Sequence, residues 1–154
     1  MDEGVAACAR YGATTIIALA GPPATGKSHV ALIAAQRHAG LPSRVREIQF
    51  HQSFTYEEFV EGLRIDSSGA VNHKAGVFLE VNDDATADPE HNHVLLIEEL
   101  TRANLGAVLG ELLTYVEHRE RSFRTLFGGT SVTVAPRLTI LATFNPVDRS
   151  ALNI

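Results

Sequence analysis

The stretch "GPPATGKS", Gly21 to Ser28, sets a glycine, four residues, a second glycine, a lysine and then a hydroxyl, and its spacing decides the fold around it. Gly21 and Gly26 permit a backbone that turns successive N–H groups inward, as a cradle for phosphate oxygens needs. A helix beginning near Lys27 would add the positive end of its dipole to that cradle. Lys27 would reach the β- and γ-phosphates of a nucleoside triphosphate, and Ser28 would put its hydroxyl on a bridging Mg²⁺. The candidate phosphate contacts are therefore Gly21, Pro22, Pro23, Ala24, Thr25, Gly26, Lys27, Ser28 and His29. The plainer alternative is a glycine-rich turn carrying an exposed lysine, and the flanks argue against it.

Upstream, "ATTIIALA" at Ala13 to Ala20 is β-branched and apolar without alternation, the pattern of a strand buried on both faces of a parallel sheet. Downstream, Lys27 to Ala39 reads as a helix stopped by Gly40 and Pro42. Val45 to Phe50 is a second short strand, and Thr55 with Glu58 has capping-box spacing for a helix through Leu63. Arg64 to Lys74 reads as a loop, Gly76 to Ala85 as a short helix, and the acidic, turn-rich segment Asp83 to His93 as surface. Val94 to Ile97 is a third strand. Leu105, Val108, Leu109, Leu112, Leu113 and Val116 then recur at helical spacing and predict one apolar stripe. Phe123 to Ala135 suggests a hairpin around Gly128 and Gly129, and Arg137 to Phe144 another buried strand. Strands alternating with helices predict an open, mostly parallel α/β sheet.

At the end of the third strand stand two adjacent carboxylates, Glu98 and Glu99. Alone they would be two solvated acids near a helix start. Beside a phosphate-binding loop they fit two roles in order: an acid that holds Mg²⁺, usually through water, and an acid that polarises the attacking water, as in P-loop NTPases.

The chain is one domain in length, with 154 residues of which 45% are hydrophobic and 20% charged, as in soluble globular proteins. Its net charge of −5 excludes the broad basic field of a non-specific nucleic-acid binder. No apolar run approaches the ~20 residues of a bilayer span, so no membrane association is expected. The single Cys8 and the absence of a secretory leader point to a reducing, cytoplasmic setting. No His, Cys and acid cluster has zinc spacing.

Three further stretches carry a resemblance: "FHQSFTYEEFVEGLR" at Phe50 to Arg64, "IEELTRANLGAVLGELL" at Ile97 to Leu113, and "FNPVDRS" at Phe144 to Ser150. From about Ala13 onward the chain resembles the McrB-type AAA+ motors of methylation-directed restriction. The resemblance implies a three-layer P-loop core, Mg²⁺ with ATP or GTP, and subunits assembled into rings, usually hexameric. It also implies a separate endonuclease subunit as partner, with DNA reached only through other domains or partners. By position, Glu98 matches the Mg²⁺-associated acid, Glu99 the catalytic glutamate and Asn145 the polar sensor after the fourth strand. Asp148 and Arg149 match the family's MNxxDR signature. Phe144 stands for the usual Met, Pro146 follows Asn145, Glu98 replaces a common Asp, and Thr101 a frequent Asn. Arg102 and Arg119 are candidates for an interface or pore, and His51 for the surroundings of the site.

Residues 1–154 are thus expected to form one AAA+ core, with 1–12 as a lead-in and with the last core strand, arginine finger and helical lid of the family missing. The function expected is triphosphate binding, with hydrolysis by the intact motor. A non-hydrolysing, nucleotide-dependent interaction module and a P-loop kinase remain as alternatives.

Overall fold

The computed structural model describes residues 16–146. In chain order these form β1 (Ile16–Ala20), α1 (Lys27–Ala39), β2 (Val45–Gln49), α2 (Tyr56–Phe59), β3 (Glu61–Ile65), β4 (Val71–Ala75) and α3 (Val77–Ala87). There follow β5 (His93–Glu98), α4 (Leu105–Leu109), α5 (Leu112–Glu117), β6 (Ser122–Arg124), β7 (Ser131–Thr133) and β8 (Leu138–Phe144). Single 3₁₀ turns lie at Pro42–Arg44 and Leu100–Arg102.

Four strands make a parallel sheet in the order β1-β8-β5-β2. The two central strands, β5 and β8, carry apolar residues on both faces, because helices cover both sides. On one face α1 lays Ala31, Ala35 and Ala39 against Val94, Leu96 and Leu141, small residues that let the helix approach closely. On the other face Leu95, Ile97, Leu138, Ile140 and Ala142 meet a larger core from α2 to α5, with Phe50, Phe59 and Phe78 fully buried. The result is the three-layer α/β sandwich expected from the sequence. Parallel pairing then does the functional work: Ala20 is level with Phe144, and Gln49 with Glu98, so the carboxyl ends of the strands share one edge.

Several elements differ from the sequence expectation. The capping box at Thr55 and Glu58 is present, with the Thr55 hydroxyl accepting from the Glu58 N–H and the Glu58 carboxylate accepting from the Thr55 N–H. Yet α2 ends at Phe59 instead of running through Leu63. Gly76 N–H donates to the Val60 carbonyl at 2.7 Å, and the backbones pass so closely that a Cβ on Gly76 would lie 2.5 Å from the Phe59 carbonyl carbon. That crossing turns the chain out of the helix. The segment expected to be a loop is an antiparallel hairpin, β3 with β4, pairing Glu61 with Ala75 through Ile65 with Val71. Helix α3, expected over Gly76 to Ala85, begins one residue later at Val77, with Gly76 as its cap, and continues to Ala87, two residues further.

The apolar stripe from Leu105 to Val116 is real in its burial of Val108, Leu109, Leu112 and Val116, while Leu113 is exposed. It belongs to two short helices, however. Gly110 breaks them at φ 50°, ψ −130°, a conformation closed to residues with a Cβ. The hairpin around Gly128 and Gly129 is present as β6 and β7. Helix α1 matches its expected span, with Gly40 as its left-handed cap.

Candidate functional site

The loop from Gly21 to Gly26 leaves β1 at the carboxyl edge of the sheet and enters α1 at Lys27. Gly26 caps the helix in the left-handed region at φ 78°, and Ala24 also has positive φ at 59°, the kind of backbone from which phosphate-cradling loops are built. The loop is closed on itself: Thr25 Oγ1 donates to the Pro22 carbonyl at 2.8 Å, and Lys27 Nζ to the same oxygen at 2.6 Å. A primary ammonium therefore lies inside the loop, beside the first turn of a helix with no acidic residue in that turn. Ser28 and His29 are exposed. Because α1 runs antiparallel to the strands it covers, its N-terminus faces the edge where β5 and β8 end.

At that edge Gly21 N–H donates to the Phe144 carbonyl at 3.4 Å, which brings Asn145, the next residue, beside the start of the loop. One strand further across, β5 ends at Glu98, whose carbonyl accepts from Phe50 N–H at 2.9 Å. Glu98 Oε1 is buried without a hydrogen-bond partner among the described residues. Such oxygens are commonly satisfied by an ordered water or a bound ion.

Glu99 leaves the sheet in the left-handed conformation, φ 56°, ψ 45°, which is uncommon for a residue with a side chain. Its N–H, past the last rung of the strand ladder, donates to Thr143 Oγ1 at 3.3 Å. Its carboxylate lies 3.4 Å from Arg102 Nε, across the 3₁₀ turn. Arg102 is thus an exposed ion-pair partner of the second glutamate. Thr101 is buried, and its hydroxyl has no partner among the described residues.

The structure therefore gathers Gly21 to Ser28, Glu98, Glu99 and Asn145 at one edge. Asp148 and Arg149 lie outside the described residues. His51 is exposed, with its ring edge-on to Phe54 at 5.4 Å, in the segment that follows β2. Arg119 does not serve a surface: its Nε donates to the Val116 carbonyl at 3.1 Å and its Nη1 to the Ala135 carbonyl at 2.7 Å. These two bonds clamp the end of α5 to the approach to β8, and burial lowers the guanidinium's pKa to about 10. Two contacts escaped the sequence reading. Thr143 offered a signal, as the second of two threonines in the otherwise apolar run "LTILATF" and the one nearest its carboxyl end; the pairing of Arg102 with Glu99, three residues apart, offered none beyond spacing.

The profile of the AAA domain, dynein-related subfamily, matches residues 16–153. The chain belongs to this AAA family. Within it, 107 residues, 68% of the chain, are 40% identical to the "Type IV methyl-directed restriction enzyme EcoKMcrB subunit" of Escherichia coli K12. This supports the McrB-type resemblance. The match spans only 23% of that relative's length. A crystal structure from Cytophaga hutchinsonii, described as that of a "putative ATPase", superposes with a TM-score of 0.56 over 95% of this chain and 38% of its own, at 19% identity. At that identity the likeness speaks for the AAA+ fold alone.

Proposed function

We propose that this AAA+ domain binds ATP or GTP with Mg²⁺ and hydrolyses it as the nucleotide-binding core of an McrB-like motor. The observation that carries the reading is the meeting of the Lys27 loop, the Glu98–Glu99 pair and Asn145 at the carboxyl edge of one sheet. The loop's N–H groups would hold the phosphates, and Lys27 would exchange the Pro22 carbonyl for β- and γ-phosphate oxygens. Ser28 and Glu98 would hold the metal. A hydroxyl and one carboxylate are hard oxygen donors of the kind Mg²⁺ takes alongside phosphates and water, and the unpartnered Glu98 Oε1 fits that need. When bound, Mg²⁺ offsets phosphate charge. Glu99 would polarise the attacking water, Lys27 would stabilise charge developing on the γ-phosphoryl oxygens, and Asn145 would position that group.

Assembly into a ring, with an arginine from a neighbouring copy completing the site, extends the McrB resemblance. So do a separate endonuclease partner, contact with DNA through other domains, and action in the cytoplasm. The name of the E. coli relative supports a role in restriction of methylated DNA.

The decisive variant is Glu99→Gln. It should retain the triphosphate and slow phosphate release, with no acceptor present, by at least ~10²-fold, the usual contribution of such a group. Native turnover in this variant would move the catalytic role to another residue.

A further inference from the structure

The geometry points to Thr143 as a positioning residue for Glu99, holding the glutamate's backbone in register with the strand that carries Asn145. The inference rests on the reading of Glu99 as the water-polarising group. The parallel ladder between β5 and β8 has its last paired rung at Ile97 and Ala142. Beyond it β5 turns away, and the Glu99 N–H has no backbone carbonyl opposite it in that ladder. The Thr143 hydroxyl takes the carbonyl's place at 3.3 Å, and Thr143 is itself 2% exposed, so water has little access to substitute for it. The backbone it holds is in the left-handed region at φ 56°, where a residue with a Cβ stays only if its surroundings fix it.

Side-chain alternation places Thr143 on the same face of β8 as Thr139, whose hydroxyl meets His38 Nε2 of α1 at 3.2 Å. This is the α1 face of the sheet, the side on which Lys27 and Ser28 begin their helix. Two residues further along the same strand direction stands Asn145. A shift of β8 that moves Asn145 toward or away from a γ-phosphate would therefore carry the Glu99 amide with it. Arg102 Nε, 3.4 Å from the carboxylate, forms an exposed ion pair with the other end of the same residue. The backbone anchor sets where the water-polarising residue leaves the sheet.

Thr143→Val keeps the β-branched shape of the strand and removes only the hydroxyl, while Thr143→Ser keeps the hydroxyl. Two measurements on the protein separate a positioning role from a structural one. In amide hydrogen exchange, Thr143→Val should weaken protection of the Glu99 amide by roughly 2- to 10-fold, the loss of one hydrogen bond, and Thr143→Ser should restore it. In phosphate release, Thr143→Val should lower kcat about tenfold or more while triphosphate affinity by calorimetry stays within about twofold, and Thr143→Ser should recover the rate. Native protection of the Glu99 amide in Thr143→Val, or native kcat in a Thr143→Val protein whose Glu99→Gln counterpart is slow, would overturn the proposal. Equal loss of nucleotide affinity in both threonine variants would also overturn it, as the mark of a merely structural residue. Native turnover of Glu99→Gln would instead defeat the underlying reading of Glu99, and the exchange measurement would still judge the hydrogen bond by itself.

Discussion

Glu61 shows how a single buried carboxylate can organise a region remote from the chemistry. It is 4% exposed at the start of β3 and accepts hydrogen bonds from the N–H groups of Phe127 and Gly128, joining one hairpin to the other. Burial alone would raise its pKa; the Gly128 and Phe127 N–H groups, the Thr125 hydroxyl and the neighbouring His73 outweigh burial and hold it below the usual carboxylate value. The folded pKa is thus depressed relative to the unfolded chain. Its stabilisation is present above the unfolded pKa and lost as pH falls through the folded one. Glu61→Gln keeps an Oε1 acceptor for both N–H groups and removes the charge, so it should lower stability by about 1 kcal/mol at neutral pH, the difference between a charged and a neutral hydrogen bond. Urea melts repeated at decreasing pH should show the native protein losing its advantage over the variant in that acid window. A constant difference at every pH would contradict the charge-based account. Nothing in the sequence around Glu61 announced this role, because its partners lie 66 and 67 residues away. Lys27 and Ser28, by contrast, were legible from the local spacing of Gly21 to Ser28, and Glu98 and Glu99 from their place at the end of an apolar strand once that loop had been read.

Elements were legible where local signals and tertiary packing agree. Helix α1 has a loop glycine before it, a glycine cap after it and a small-residue face toward the sheet, and its span follows from those residues. The β3–β4 hairpin was missed because it is exposed from Leu63 to Lys74 and its apolar alternation is confined to Leu63, Arg64 and Ile65, too short a run to mark a strand. The break between α4 and α5 was missed because the apolar stripe continues across it and glycine inside a helical pattern, here Gly106 and Gly110, is an ambiguous signal. The early end of α2 depends on Gly76, which is 16 residues beyond Val60 in sequence but bonded to it in space. Gly76→Ala would force a Cβ to within 2.5 Å of backbone, and should cost about 1–3 kcal/mol or more by overpacking. Thermal unfolding measures this directly. A variant that melts with the native protein would mean that the crossing of these two backbones is looser than described.

For the whole molecule, the alternation of strands and helices was enough to read a parallel α/β sheet, but the strand order β1-β8-β5-β2 was not readable from composition or periodicity. That order matters more than any single element. It inserts β8 between β1 and β5, so that Asn145 and the two glutamates flank one another beside the phosphate loop although they are 46 or more residues apart in sequence. The central claim is that this edge is a Mg²⁺-dependent triphosphate site built on Lys27. Calorimetric titration of the full protein with a non-hydrolysable ATP or GTP analogue, with Mg²⁺ and then with chelator, for the native protein and for folded Lys27→Ala, tests it most directly. The account predicts tight, Mg²⁺-dependent binding of at least one analogue by the native protein, and its loss in Lys27→Ala. Equal affinity in the two proteins would contradict it.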